Sequence, residues 1–143
     1  MRFYIATGLE RAREHAEVRQ LLESTLGHQI THDWGLHGSV QKEGLKRIEE
    51  VAVLEYKGVE AADYVVVLLP GGRGTHTELG IALACVKPVI IHAFVEDDCL
   101  FGDDYRTCAF YHHPRVTLVV GAFDLIPPVA ALLPGRLPRR IGC

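Results

Sequence analysis

The four cysteines of this chain, Cys85, Cys99, Cys108 and Cys143, form no CxxC pair and have no histidine at zinc-binding spacing. That absence argues against a structural metal, which draws on four closely arranged ligands. In a chain with enough apolar residues for a core, it reads as four reduced thiols of a cytoplasmic protein. The adjacent pair His112-His113, in a polar stretch before Pro114, supplies only half of such a set. No apolar run reaches the roughly 18 residues of a membrane span. Met1 leads directly into the strand-like Phe3-Tyr4-Ile5-Ala6, with no signal-peptide pattern. A positive excess is missing as well: 15 Lys and Arg stand against 18 Asp and Glu, a net charge of −3, which leaves no footprint for nucleic acid. The basic residues Arg136, Arg139 and Arg140 are too few to alter this, and residues 134–143 read as a flexible tail. There are no internal repeats and no low-complexity segments.

What is present suits a folded α/β protein. With 48% hydrophobic residues in 143, one domain spanning 1–143 can bury a substantial core. Strand and helix patterns alternate. Arg2 to Thr7 reads as a strand, Leu9 to Leu26 as a helix stopped by Gly27, and His28 to Asp33 as a second strand. A loop (Trp34 to Ser39) precedes a helix from about Glu43 to Ala61, with Leu45, Ile48, Ala52, Glu55 and Val59 on one stripe. Tyr64 to Leu69 is a third strand, apolar on both faces, as expected where helices cover both sides. Thr77 to Cys85 is a helix, Val89 to His92 a strand, Phe94 to Pro114 a long irregular stretch with several acids. Val116 to Val120 and Phe123 to Leu133 close the series. The expectation is a doubly wound, five-stranded parallel sheet of Rossmann-like or flavodoxin-like type, with helices on both faces.

Chemistry concentrates after the third strand, in Pro70-Gly71-Gly72-Arg73-Gly74-Thr75-His76-Thr77-Glu78. In open α/β sheets ligands bind where a strand's carboxyl end turns into the next helix. Glycine there admits a close approach, and a helix start favours an anion. Glu78 stands in that site, where a carboxylate suits chemistry on a sugar better than it suits holding a phosphate. It also completes a Thr75-x-x-Glu78 capping box, a purely structural role that remains open from the sequence. Arg73 fits a phosphate or a carboxylate, or plain solvent. Glu55, on an apolar stripe, needs a partner or an exit to water. Tyr4 lies near the end of the first strand, as core or as a phenol reaching the crevice. Thr7 and Gly8 follow it. Trp34 could stack on a base or pack in the core, and Asp33 and His37 are further candidates from its surroundings.

The segment Asp63-Tyr64-Val65-Val66-Val67, Gly74-Thr75-His76-Thr77-Glu78-Leu79-Gly80-Ile81-Ala82-Leu83-Ala84 and Lys87-Pro88-Val89-Ile90 resembles the nucleoside 2-deoxyribosyltransferase family. The resemblance implies that Glu78 is the nucleophile, that Tyr4 positions it, and that Glu55, where the family usually has aspartate, assists. Gly72 departs from the pattern: six positions before the nucleophile, transferases acting on free nucleosides often carry aspartate and the related 5′-monophosphate hydrolases serine. The Pro-Gly-Gly-x-Gly-Thr-x-x-Glu string also fits cytokinin-activating phosphoribohydrolases, although this chain is shorter than those. Expected, then, is cleavage of an N-glycosidic bond through a glycosyl-glutamate and transfer of the sugar to another base. Hydrolysis of a nucleoside 5′-monophosphate, or a non-catalytic nucleotide sensor, are the alternatives. Gly71, Gly72, Arg73, Gly74, Thr75, Thr7, Gly8, Asp33, Trp34 and His37 would bind substrate. Neither a metal nor an organic cofactor is called for, and the resemblance implies a homodimer or larger assembly.

Overall fold

The computed structural model describes residues 1–99 and 107–133. Its centre is a parallel sheet of β1 (Arg2–Ala6), β2 (Gln29–Ile30), β3 (Tyr64–Leu68), β4 (Val89–Ala93) and β5 (Val116–Val120), in the spatial order β2-β1-β3-β4-β5. All neighbouring pairs run parallel, with Tyr4 opposite Val65 and Val67 opposite Ile91. The helices are α1 (Ala12–Leu26), α2 (Leu45–Ala61), α3 (Arg73–Ala84) and α4 (Ile126–Ala131). The order reverses beside β1, so the crevice between the carboxyl ends of β1 and β3 is the topological switch point.

Alternation along the strands separates two apolar layers. Tyr4, Ala6, Val65, Val67, Val89 and Ile91 pack with Val59 of α2 and with Leu79 and Ala82 of α3. Phe3, Ile5, Tyr64, Val66, Leu68 and Ile90 face the other way, onto Val18 and Leu22 of α1 and Ile126 and Ala130 of α4. The expected doubly wound α/β sheet with helices on both faces is what the chain forms. Among the described residues, no helix is long and apolar enough to cross a membrane.

Several boundaries differ from the sequence reading. The first helix is preceded by a 3-10 turn, Leu9–Arg11, and ends at Gly27, whose φ of 63° takes the left-handed conformation that closes a helix. β2 is only two residues long rather than six, because Asp33 turns its side chain to the Gly35 N–H and starts a 3-10 turn, Trp34–Leu36. α3 begins four residues earlier than expected, with Gly72 as its cap. The last helix is a 3-10 turn followed by α4. Among its described residues, the irregular stretch 94–114 holds two 3-10 turns, Glu96–Cys99 and Ala109–His112. Its acids Asp103 and Asp104, and the tail 134–143 with Cys143, lie outside the described residues. Of the stripe predicted on α2, only Val59 is buried: Leu45 is 85% exposed, Ile48 and Ala52 are exposed and Glu55 is half-buried, while the helix buries Val51 and Gly58 instead.

The carboxyl-terminal half of α2 is held close to the sheet. Thr31 Oγ1 lies 3.1 Å from the Phe3 carbonyl and 2.7 Å from the Gly58 carbonyl, tying β1, β2 and α2 together. Lys87 donates to the Glu60 and Ala62 carbonyls, placing a cation at the negative end of that helix. Gly58 has no room for a side chain: a Cβ there would stand 2.7 Å from His32 Cβ and 3.0 Å from two carbons of the Tyr4 ring. Replacing glycine by alanine inside a helix normally stabilises by about 1 kcal/mol. At Gly58 the overpacking, about 1–3 kcal/mol, should outweigh this, so Gly58→Ala should lower the urea midpoint. A higher midpoint would mean that α2 can back away from β1 at no cost.

Candidate active site

Tyr4 is the third residue of β1, and its pleat position aims the phenol at the layer that contains α3. Glu78 lies in the second turn of α3, only 7% exposed. Across the switch point the Tyr4 hydroxyl donates to Glu78 Oε1 at 2.5 Å. The capping-box alternative is not realised. With Gly72 extended (φ −86°, ψ −167°) the helix starts at Arg73, so Thr75 and Glu78 both sit inside it rather than at its threshold. The Glu78 carboxyl turns to Tyr4 instead, and Thr75 Oγ1 is buried without a hydrogen-bond partner among the described residues.

Burial decides the electrostatics of this pair. Loss of water pushes the Glu78 carboxyl up to about 8, opposed by the Tyr4 hydrogen bond, which favours the charged form, and reinforced by the negative charge of Glu55. The Tyr4 phenol is pushed upward too, first by burial and then by Glu78, so Tyr4 remains a donor. Glu55, half-buried on α2, is raised by its own desolvation and pulled back by His37. Glu55 thus stands where its charge is felt by both Tyr4 and Glu78. A carboxylate so poorly solvated, with a fixed donor on one oxygen, is matched to positive charge developing on a sugar carbon.

The remaining candidates divide. Gly71 and Gly72 carry the chain out of β3, through a cis Leu69–Pro70 peptide, to the start of α3, and a Cβ at Gly71 would stand 2.6 Å from Thr75 Cγ2. Arg73 and Gly74 form the exposed first turn of α3 rather than a loop. Thr7 is 8% exposed with its hydroxyl 3.4 Å from the Leu68 carbonyl, and Gly8 precedes the turn Leu9–Arg11. His37 approaches His32, Nε2 to Nε2, at 3.3 Å. Asp33 and Trp34 are not offered to the crevice. Asp33 accepts from Gly35 N–H and from Arg19, with His15 Nδ1 3.7 Å away. Trp34 is 3% exposed, its indole N–H donates to the Ile5 carbonyl at 3.2 Å, and its ring lies 4.4 Å from that of His15. Packing, the other reading of Trp34, is what the structure shows. The aspartate fixes the backbone turn that delivers His37.

Sequence reasoning missed Arg11, His32, His76 and Tyr111. Arg11 is 7% exposed and donates to the Leu69 carbonyl, bracing the chain just before Pro70. His76 lies 2.7 Å from the Gly72 carbonyl through Nδ1 and 2.7 Å from Tyr111 Oη through Nε2. A carbonyl only accepts, so Nδ1 carries the proton and, in the neutral ring, Nε2 accepts from the tyrosine. His76 was visible within the motif, but its partner 35 residues away was not.

The position of Glu78 predicts a pH effect on stability. Its folded value near 8 lies above the ordinary 4.5, so its contribution is complete below about 4.5 and is lost as the pH rises toward 8. Thermal midpoints should fall across that window, and Glu78→Gln, which cannot ionise, should flatten the slope. Tyr4→Phe, by removing the bond that favours the anion, should carry the window to higher pH. An unchanged slope in both variants would assign it to other groups.

No family model matches the chain, and no curated protein sequence matches it. Among solved structures it is similar to the CMP N-glycosidase BcmB of Clostridium botulinum, with a TM-score of 0.59 and 16% identity, over 92% of this chain and 100% of that one. At that identity the likeness is one of fold: this chain has the α/β architecture on which that glycosidase is built.

Proposed function

We propose that this protein cleaves the N-glycosidic bond of a nucleoside or nucleoside 5′-monophosphate. The observation that carries the reading is the buried Tyr4–Glu78 pair at the switch point. An ionised Glu78 attacks the anomeric carbon, the carbon–nitrogen bond breaks with its electrons going to the base, and a glycosyl ester forms on Glu78. Tyr4 holds the attacking carboxylate, and Glu55, whose charge acts on both, assists protonation of the leaving base. A second base then takes the sugar, returning the electron pair of the ester bond to Glu78; water in that place gives hydrolysis. Both outcomes retain the configuration of the sugar.

A 5′-monophosphate substrate has an observation of its own in favour. Gly72 caps α3 without a side chain, which leaves the positive end of a twelve-residue helix and the exposed Arg73 on the same turn. The fold shared with a CMP N-glycosidase points the same way. A non-catalytic sensor would bind such a ligand tightly and leave it intact.

Incubating the protein with nucleosides and their 5′-monophosphates, with and without an acceptor base, separates these readings. Glu78→Ala should lower turnover by orders of magnitude while the protein stays folded, and mass spectrometry of the quenched wild type should find the sugar on Glu78. A near-normal rate in Glu78→Ala would end the mechanism. If the monophosphate is preferred more than tenfold in kcat/KM (about 1.4 kcal/mol), Arg73→Ala should erase the preference.

A further inference from the structure

Threonine within a helix often gives its hydroxyl to the carbonyl four residues back. Thr77 does so in α3, donating to the Arg73 carbonyl at 2.9 Å, and Thr25 does so in α1 with Leu21. Thr75 does not. It is 2% exposed, and its Oγ1 is buried with no hydrogen-bond partner among the described residues. Valine has nearly the same shape and would leave no polar atom unpaired, and an unpaired buried hydroxyl is destabilising. Packing alone does not account for the hydroxyl, whereas a ligand group that pairs with it does.

The surroundings of Thr75 say which part of a ligand that is. Thr75, Glu78, Leu79 and Ala82 form the buried face of α3. Residues three apart on a helix have Cβ atoms about 5–6 Å apart. Helical side chains lean toward the N-terminus, so the Glu78 side chain lies over the turn that holds Thr75. Glu78 Oε1 receives the Tyr4 hydrogen bond, which leaves Oε2 for the anomeric carbon. On its other side the Thr75 hydroxyl faces the glycine turn, where a Cβ on Gly71 would stand 3.3 Å from Oγ1. The hydroxyl thus stands beside the nucleophile, on the side of the turn that leads out of β3. In a β-nucleoside the base occupies one face of the sugar, and the 2′- and 3′-hydroxyls of ribose the other. Attack opposite the leaving base comes from that hydroxyl-bearing face. The hydroxyl on the carbon next to the anomeric centre is the nearer one, and bonds to it strengthen as the sugar becomes cationic.

We propose that Thr75 pairs with the sugar 2′-hydroxyl, which makes the substrate a ribonucleoside or ribonucleotide rather than its 2′-deoxy counterpart. The proposal rests on the glycosidase reading and narrows its sugar. Each hydroxyl can donate and accept, so one contact satisfies the buried oxygen and holds the sugar over Glu78. A 2′-deoxy sugar brings a methylene to the same place and leaves Oγ1 unpaired. A site that keeps a polar group for a substrate hydroxyl discriminates against the analogue lacking it.

The test crosses two features of the substrate: ribose against 2′-deoxyribose, each as free nucleoside and as 5′-monophosphate. The 2′-deoxy bond is intrinsically the more labile, so the informative quantity is the change in the ribose-to-deoxyribose ratio of kcat/KM between variants. Thr75→Val should lower that ratio at least about tenfold, for nucleoside and monophosphate alike, and Thr75→Ser should restore most of it. An unmoved ratio would overturn the proposal. So would a loss that follows the phosphate instead of the 2′-hydroxyl, since that would put Thr75 at the 5′ end of the substrate. A second measurement needs no turnover. The thermal midpoint of the free protein should rise in Thr75→Val, because the unpaired hydroxyl is gone, and a lower midpoint would give that hydroxyl a structural bond and overturn the proposal. Ribonucleotide should also raise the wild-type midpoint more than the deoxyribonucleotide does. If the wild type binds these compounds and cleaves none, the glycosidase reading has failed, and the ribose–deoxyribose difference in binding decides the role of Thr75 on its own. Binding of none would overturn both.

Discussion

The 2.5 Å hydrogen bond between Tyr4 and Glu78 joins residues 74 positions apart, and much of the architecture serves to let it form. A carboxyl group is costly to bury, and one hydrogen bond from a phenol offsets only part of that cost. The remainder appears as a carboxyl held well above its usual range. The fold bears this strain because β1 and β3 are locked in register beneath the pair and α3 is seated on buried Leu79 and Ala82. Gly58 lets α2 come near enough to bring Glu55 into the same electrostatic neighbourhood.

A second level of organisation lies around the crevice rather than in it. Asp33, Arg19, His15 and Trp34 form a cluster in which Asp33 accepts from Arg19 and Trp34 donates to the Ile5 carbonyl, while His15 Nε2 and Arg19 Nε are buried without a hydrogen-bond partner among the described residues. Burial pushes His15 down to about 4, so this support stays uncharged on the histidine over the neutral range. Arg11 does comparable work on the opposite flank by holding the Leu69 carbonyl. His76 ties the Gly72 carbonyl to the turn that contains Tyr111. The glycine-rich turn is thus pinned on both sides by long polar side chains.

Much of this could be read from the chain. The β-branched runs of β3 and β4 and the glycines after Leu69 mark a parallel sheet and its carboxyl edge, and Tyr4, Glu55 and Glu78 stand out in the sequence itself. Other features depend on contacts that no local pattern encodes. Asp33 and Trp34 had the right chemistry and position for a site, but Arg19 and the Ile5 carbonyl, from distant segments, claim their polar atoms. The apolar residues early in α2 have helical spacing, yet that helix outruns the sheet, so Leu45 has nothing to cover. Glu78 looked like a cap because its spacing from Thr75 is that of a cap. An extended glycine upstream moved the helix start and changed the meaning of the same four residues.

The alternation of β1 has an evolutionary consequence. Tyr4 faces the α2–α3 layer, while Phe3 and Ile5 on either side face the α1–α4 layer. Sliding the strand by one residue would set Phe3 or Ile5 opposite Glu78 and drive the phenol into the other core. Substitutions on the α1–α4 face can accumulate gradually. An insertion or deletion of a single codon within the first strand has no gradual version, for it exchanges the two faces at once. Length, more than composition, is the conserved currency this strand should show across its lineage.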